Sequence, residues 1–253
     1  MKIICVIPAR MGSSRFPGKP IALISGRPMI EHVYWRCLMC KALSEVYVAT
    51  CDQEIADATK TFGGRAIMTS SSHQRACDRV AEVAQYMEAD IFVLVQGDEP
   101  MVFPEMIDLA LEPLLHDPKV LCTNLAAPIR SVEEFEDPNT IKVVMAQNGD
   151  ALYFSREPIP TRQRLALGQF PAYKQVCVIP FRRDFLLRYT ALKPTPLEQA
   201  ESIDMLRALE HGYPIRLVKS DYVTQSVDTP EDLARVETLM EHDPLLSCYP
   251  GVR

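Results

Sequence analysis

Lys2-Ile3-Ile4-Cys5-Val6-Ile7-Pro8-Ala9-Arg10-Met11-Gly12-Ser13-Ser14-Arg15-Phe16-Pro17-Gly18-Lys19-Pro20 holds an apolar run that turns abruptly polar. The run has no polar interruption, the mark of a strand buried on both faces in a helix-covered parallel sheet. The loop after it carries two Gly, two Ser, two Arg and one Lys. Gly and Ser let backbone N–H groups approach phosphate oxygens, and the cations offset their charge. Arg10, Ser13, Arg15 and Lys19 are therefore the candidates to grip a polyphosphate, Arg through a planar fork and Lys as a point charge. Neither G-x-G-x-x-G nor G-x-x-x-x-G-K-[ST] occurs here. The alternative is a plain exposed basic loop.

Outward from this stretch, strand and helix signals alternate. Strands are expected at 3–7, 45–50, 66–68 and 91–96, and helices at 29–42, 54–62 and 75–87. In the last of these, Val80, Val83, Ala84 and Met87 recur at helical spacing. A helix from 104 to about 115 and a strand at 120–126 follow. This order predicts an α/β fold with a mostly parallel sheet, whose ligands bind outside the carboxyl ends of the strands. The loop at 8–20 and the segment Gln96-Gly97-Asp98-Glu99-Pro100 both open onto that edge.

Beyond residue 130 the pattern changes. A hairpin is expected at 142–154 with Asn148-Gly149 as its turn, then a polar loop at 158–172 bearing Arg162 and Arg164. A strand at 176–181, helices at 183–190 and 198–210, and a strand at 215–219 follow. Asp228-Thr229-Pro230-Glu231 begins the last helix with a cap residue, Pro and an acid in the first turn. There is no internal repeat or low-complexity linker. The expectation is one domain over 1–253 with a hairpin subdomain at about 140–190, which can also pair two chains.

The 253 residues can bury a sizeable core, and 47% apolar with 24% charged describes an ordinary soluble globular protein. A net charge of −6 argues against nucleic acid or an anionic membrane as partner. No apolar stretch spans a bilayer and no secretory pattern is present, so a cytoplasmic protein is expected. Eight scattered Cys, among them Cys5, Cys122 and Cys177 in apolar segments, read as reduced buried thiols. Cys37 and Cys40 have redox or metal spacing but read as packing on one helix face.

The segment IPARMGSSRFPGKPIALISGRPMIEHV resembles the start of the sugar-acid cytidylyltransferases, most closely the 3-deoxy-manno-octulosonate cytidylyltransferase (CMP-Kdo synthetase) family. The resemblance continues, in order, through Val95-Gln96-Gly97-Asp98-Glu99-Pro100-Met101, Ala151-Leu152-Tyr153-Phe154-Ser155-Arg156, Pro196-Leu197-Glu198 and Val227-Asp228-Thr229-Pro230-Glu231-Asp232-Leu233. It implies a three-layer α/β sandwich with a Rossmann-like sheet of the nucleotide-diphospho-sugar transferase type. It also implies transfer of CMP from CTP to a sugar acid with release of pyrophosphate, and a homodimer.

The reaction needs cations and a metal more than a covalent group, and Mg²⁺ prefers one or two carboxylates with phosphate oxygens and water. By resemblance, Asp98 and Asp228 hold Mg²⁺ and Arg10 and Lys19 complete the catalytic set. On the residues alone, Asp98 also reads as a turn residue and Asp228 as a helix cap. Pro8 and Ala9 are placed at the base by their backbone groups. Arg79 matches an Arg near the nucleotide, or else lies on a solvated helix face. Gln96 is placed at the sugar, Arg156 at its carboxylate with Arg162 or Arg164 assisting, and Glu198 and Asp204 at its hydroxyls.

The resemblance breaks in the sugar half. G-T-E-R becomes Ala76-Cys77-Asp78-Arg79. R-H-L-G-I-Y-G-Y becomes Lys174-Gln175-Val176-Cys177-Val178-Ile179-Pro180-Phe181, and E-Q-L-R becomes Asp204-Met205-Leu206-Arg207. Lost hydrogen-bonding partners point to a rewritten acceptor pocket. The acceptor is then a 3-deoxy-octulosonate-like acid, a modified sugar acid or a phosphonate. A non-catalytic nucleotide-binding regulator is the competing class.

Overall fold

The computed structural model describes residues 1–13 and 15–250. Their packing divides into two compact units, one of Met1–Ile107 with the segment from Thr224 onward and the other of Asp108–Val223.

The first unit begins with β1 (Ile3–Ala9), every residue of which is buried, so the apolar run forms a central strand. A 3-10 turn at Lys19–Ile21, a small ribbon of β2 (Leu23–Ile24) and β3 (Arg27–Pro28), and α1 (Met29–Met39) follow. The unit continues through β4 (Glu45–Thr50), α2 (Gln53–Thr61), β5 (Ala66–Met68), α3 (Ala76–Tyr86) and β6 (Ile91–Val95). β6, β1, β4 and β5 lie side by side in that order, all parallel. Because β4 and β6 flank β1 on opposite sides, the chain reverses its direction of travel across the sheet there. Ligands of open α/β sheets enter at such a reversal, outside the carboxyl ends of the strands.

The core is the apolar content of these strands and their helices. Ile4, Val6, Phe92 and Val93 are fully buried, as are Val80 and Ala84 on the inner face of α3. Each large aliphatic or aromatic side chain buried this way stabilises by about 1.5–3 kcal/mol. Gly97 follows β6 where a Cβ would lie 3.0 Å from the Pro8 carbonyl and 3.3 Å from Ile30 Cδ1. Only glycine lets the end of β6 approach the end of β1 so closely.

The unit boundary falls within α4 (Pro104–His116). The second unit contains β7 (Thr123–Pro128), α5 (Val132–Glu136), β8 (Lys142–Met145), β9 (Ala151–Ser155), β10 (Tyr173–Val176) and β11 (Val178–Arg182). It closes with α6 (Arg183–Thr190), α7 (Pro196–Glu201), α8 (Met205–Glu210) and β12 (Arg216–Lys219). Its mixed sheet runs β12, β7, β10, β8, β9, with β12 parallel to β7 and the other pairs antiparallel. The turn between β8 and β9 places Gly149 at φ 86 and closes with Ala146 N–H on the Asp150 carbonyl at 2.8 Å.

Two expected elements are broken. The helix read over 198–210 is α7 and α8, parted at Ser202, which adopts the left-handed φ of 55. The strand read over 176–181 stops at Val176 and resumes at Val178, and Cys177 is half-buried rather than buried. After β12 the chain returns to the first unit for α9 (Pro230–Met240) and a 3-10 turn at Pro244–Cys248. No helix among the described residues is long and apolar enough to cross a membrane.

Candidate active site

The loop after β1 is held by its own backbone and by one neighbouring strand. Gly18, at φ 74, caps the 3-10 turn that presents Lys19, and Met11 N–H donates to Asp52 Oδ2 at 2.8 Å just beyond β4. Ser13 Oγ accepts from Phe16 N–H at 3.2 Å. Lys19 Nζ then lies 2.6 Å from Asp98 Oδ2, 3.4 Å from Asp228 Oδ1 and 2.9 Å from the Val227 carbonyl. Arg15 Nη2 meets the same Asp228 oxygen at 2.8 Å. Val227 N–H donates to the Asp98 carbonyl at 3.0 Å, tying together the two segments that carry the aspartates.

The Lys19 ammonium is largely buried. Burial alone would lower its pKa, but the adjacent Asp98 and Asp228 carboxylates and their hydrogen bonds outweigh it, so the net shift is upward. The ammonium stays charged at neutral pH and draws both carboxylates toward one point. Asp98 and Asp228 keep partial exposure, 18% and 19% of their side chains, so each faces solvent as well as the lysine. Two hard oxygen donors converging on a cation position suit Mg²⁺, which completes its shell with phosphate oxygens and water.

The capping reading of Asp228 gives way to Thr229. The Thr229 hydroxyl accepts from Asp232 N–H, and Asp232 Oδ2 accepts from the N–H groups of Thr229 and Asp228. Around the same sheet edge, Pro8 and Ala9 end β1 buried, Arg10 is exposed and Gln96 is half-buried just past β6. Arg79 departs from its reading as a solvated helix-face residue. It is 3% exposed, with Nη1 on the Thr69 hydroxyl and Ser70 carbonyl and Nη2 3.5 Å from Cys51 Sγ. It fastens the loop after β5 to α3.

In the second unit, Arg156 sits at the end of β9 with Nε on the Glu201 carbonyl at 2.8 Å and Nη1 on the Pro138 carbonyl at 3.0 Å. Arg162 pairs with Glu136 and lies over the Phe135 ring at 5.7 Å, while Arg164 is exposed. Asp204 is half-buried at the start of α8. Glu198 requires correction as a ligand of sugar hydroxyls. It is 1% exposed, with its two oxygens 2.6 and 2.8 Å from the Arg207 guanidinium, and it closes the capping box of α7. A carboxylate so engaged is structural; removing one partner of such a pair costs about 3–5 kcal/mol.

The altered positions are also packed inward. Ile179 and Met205 are 4% and 1% exposed, and Gln175 Nε2 bonds Asn124 Oδ1 at 2.6 Å. Residues that sequence reasoning missed are Asp52, Lys142 and Glu201. The signal for Asp52 was its place just past a parallel strand; Lys142 and Glu201 gave none.

A cytidylyltransferase family model matches residues 4–220. The chain is 46% identical over 245 residues to the 3-deoxy-manno-octulosonate cytidylyltransferase of Geobacter metallireducens, covering 93% of this chain and 96% of that protein. The chain belongs to the 3-deoxy-manno-octulosonate cytidylyltransferase family. A relative of the same name from Solibacter usitatus is 47% identical over 241 residues, 95% of each chain. Among solved structures, a CMP:2-keto-3-deoxy-manno-octonic acid synthetase complexed with CTP matches with a TM-score of 0.87 at 43% identity, over 95% of this chain and 98% of that one. The 4-diphosphocytidyl-2C-methyl-D-erythritol synthase of Anaerococcus prevotii matches at TM-score 0.63 and 13% identity, over 95% of this chain and 96% of that one, and shares the fold alone. The chain is thus an α/β nucleotidyltransferase, as the order of its elements and the family resemblance implied.

Proposed function

We propose that this cytidylyltransferase couples CTP to 3-deoxy-manno-octulosonate, or a close sugar acid, giving the CMP-sugar and pyrophosphate, with Mg²⁺ held by Asp98 and Asp228. One observation carries the reading: Asp98 and Asp228, far apart in sequence, meet on the Lys19 ammonium with Arg15 beside them. When bound, Mg²⁺ withdraws negative charge from the phosphate oxygens.

The chain's own groups do the rest. Arg10, Arg15 and Lys19 bind the triphosphate, and Lys19 and Arg15 leave their aspartates for phosphate oxygens as the nucleotide enters. Pro8 and Ala9 meet the base, Gln96 orients the acceptor, and Arg156 grips its carboxylate. The acceptor hydroxyl oxygen forms a bond to the α-phosphorus while the bond from that phosphorus to the bridging oxygen breaks. Pyrophosphate leaves with the electron pair and the hydroxyl proton passes to water. Stabilising charge in place, rather than a covalent intermediate, is how such transfers are accelerated.

Acceptors unrelated to octulosonate draw little support, because the relatives matched at 46–47% identity are named 3-deoxy-manno-octulosonate cytidylyltransferases. A pyrophosphate-release screen of each NTP against a panel of sugar acids and phosphonates tests the reading. CTP with 3-deoxy-manno-octulosonate is the expected productive pair, and Asp98→Asn should lower its kcat by about 10²–10³-fold or more while circular dichroism stays unchanged. Full activity in that variant would refute the metal assignment.

A further inference from the structure

We infer that Glu201 is a positioning residue for the acceptor's carboxylate, acting through Arg156 with the buried Lys142 behind it; this rests on the reading of Arg156 given above. The Glu201 carboxylate accepts from Ser155 Oγ at 2.7 Å, from Arg156 N–H at 2.8 Å and from Tyr153 Oη at 3.3 Å. Its carbonyl, one of those left without an intrahelical partner at the end of α7, accepts from Arg156 Nε. One residue therefore holds both the backbone and the side chain of Arg156.

Lys142 holds it from the other side. This side chain is 0% exposed, yet its ammonium has no carboxylate within ion-pair distance among the described residues. It donates instead to the carbonyls of Asp137 at 2.9 Å, Thr140 at 2.7 Å and Arg156. Burying a charge is costly unless it is fully hydrogen-bonded, and here three carbonyls from two separate segments supply the bonds. Burial lowers the Lys142 pKa, in keeping with that cost. The effect is to lock the 137–140 turn, whose Pro138 carbonyl binds Arg156 Nη1, against the end of β9.

With Nε and Nη1 committed to carbonyls, Nη2 is the nitrogen of the half-buried Arg156 that makes no hydrogen bond among the described residues. A guanidinium with two of its nitrogens fixed loses little freedom on meeting an anion, and such preorganisation is where affinity is gained. Every residue of this arrangement belongs to the second unit, whereas the loop that bears Lys19 belongs to the first. The arrangement should therefore affect one substrate and not the other.

Steady-state kinetics with CTP and 3-deoxy-manno-octulosonate separate the outcomes. Glu201→Gln replaces one acceptor oxygen by a donor, set either against the Ser155 and Tyr153 hydroxyls or against the Arg156 N–H. It should raise KM for the sugar acid by about tenfold or more, with KM for CTP within about twofold of the parent. Glu201→Asp, which restores the charge, should recover part of the loss. Ser155→Ala, which removes a single donor, should show a smaller shift in the same direction and covers the case in which Glu201→Gln fails to fold. A merely structural role would lower the melting temperature and the active fraction but move neither KM. An unchanged sugar-acid KM in folded Glu201→Gln, or equal changes in both KM values, overturns the inference. Arg156→Ala serves as the reference: if it leaves the sugar-acid KM unchanged, the underlying reading of Arg156 fails instead.

Discussion

Thr229, not Asp228, caps α9, and that division of labour leaves the Asp228 carboxylate turned toward Lys19 and Arg15. The two neighbours should therefore respond differently to mutation. Thr229→Ala should cost about 1 kcal/mol of stability through the lost cap and leave turnover per folded molecule close to the parent's. Asp228→Asn should leave stability within about 0.5 kcal/mol of the parent, or raise it slightly, and abolish most pyrophosphate release. Urea melts paired with single-turnover assays on both variants read the contrast. Equal loss of activity in the two would return Asp228 to a capping role. Lys19 belongs to the same scale: burial alone would lower its pKa, and the Asp98 and Asp228 carboxylates outweigh that pull and keep it a cation.

Helix α1 carries a buried polar network that fastens the 3-10 turn at Pro244–Cys248 to the rest of the first unit. Arg36, 0% exposed, donates through Nε to Tyr249 Oη at 2.7 Å and through Nη2 to Asp243 Oδ2 at 2.5 Å. His32 places Nε2 2.9 Å from the Ile24 carbonyl and Nδ1 3.4 Å from Tyr249 Oη. Beside them Ile24, Met29, Met101, Val227, Val236 and Met240 form one apolar cluster, with Phe16 of the loop after β1 packed on it. That cluster underlies the segments bearing Lys19, Asp98 and Asp228.

Burial drives the His32 pKa from 6.5 down to about 4; Arg36 and Arg27 push the same way, against the opposing Ile24 carbonyl. The unfolded chain takes up a proton below pH 6.5 that the folded chain refuses until about pH 4. Stability is thus fully present above pH 6.5 and falls through that window, by on the order of 3 kcal/mol. Melting temperatures between pH 7 and 4.5 should decline less steeply in His32→Gln than in the parent. Parallel slopes in the two would exclude the imidazole as the source.

At the scale of the whole molecule, binding of nucleotide should report on the site's assembly. CTP with Mg²⁺ at 100 times its Kd should stabilise the folded chain by about 2.7 kcal/mol, whereas Asp98→Asn should lose the Mg²⁺-dependent part of that gain. Thermal melts with each NTP, with and without Mg²⁺, measure both. A shift equal for all four bases would remove cytosine selectivity from the account.

Much of this was legible from residue order. The uninterrupted run at 3–7 marked a buried parallel strand, which the structure extends to Ala9, and helical spacing marked α3, because both signals repeat every few residues and need no distant partner. The loop chemistry around Lys19 was local in the same sense. Other features were not legible. Glu198 looked like a sugar ligand until the fold closed Arg207 over it, and the continuous helix expected across Ser202 breaks where that residue takes a left-handed turn. Lys142 looked like any strand lysine, since what makes it unusual is complete burial on three carbonyls, two from the turn just before it and one from the end of β9.

The amino-acid order by itself determined the α/β class, the cationic, glycine- and serine-bearing make-up of the first loop and the family. It did so through short-range periodicity and motifs, whose physical content lies within a few residues. Only the tertiary structure decided which carboxylates share a cation and which are spent on buried pairs. Asp98 and Asp228 lie 79 and 209 residues from Lys19 along the chain, and their meeting exists only once the strands are stacked and α9 is docked. Electrostatics acts on distance through space, and that distance is a property of the fold.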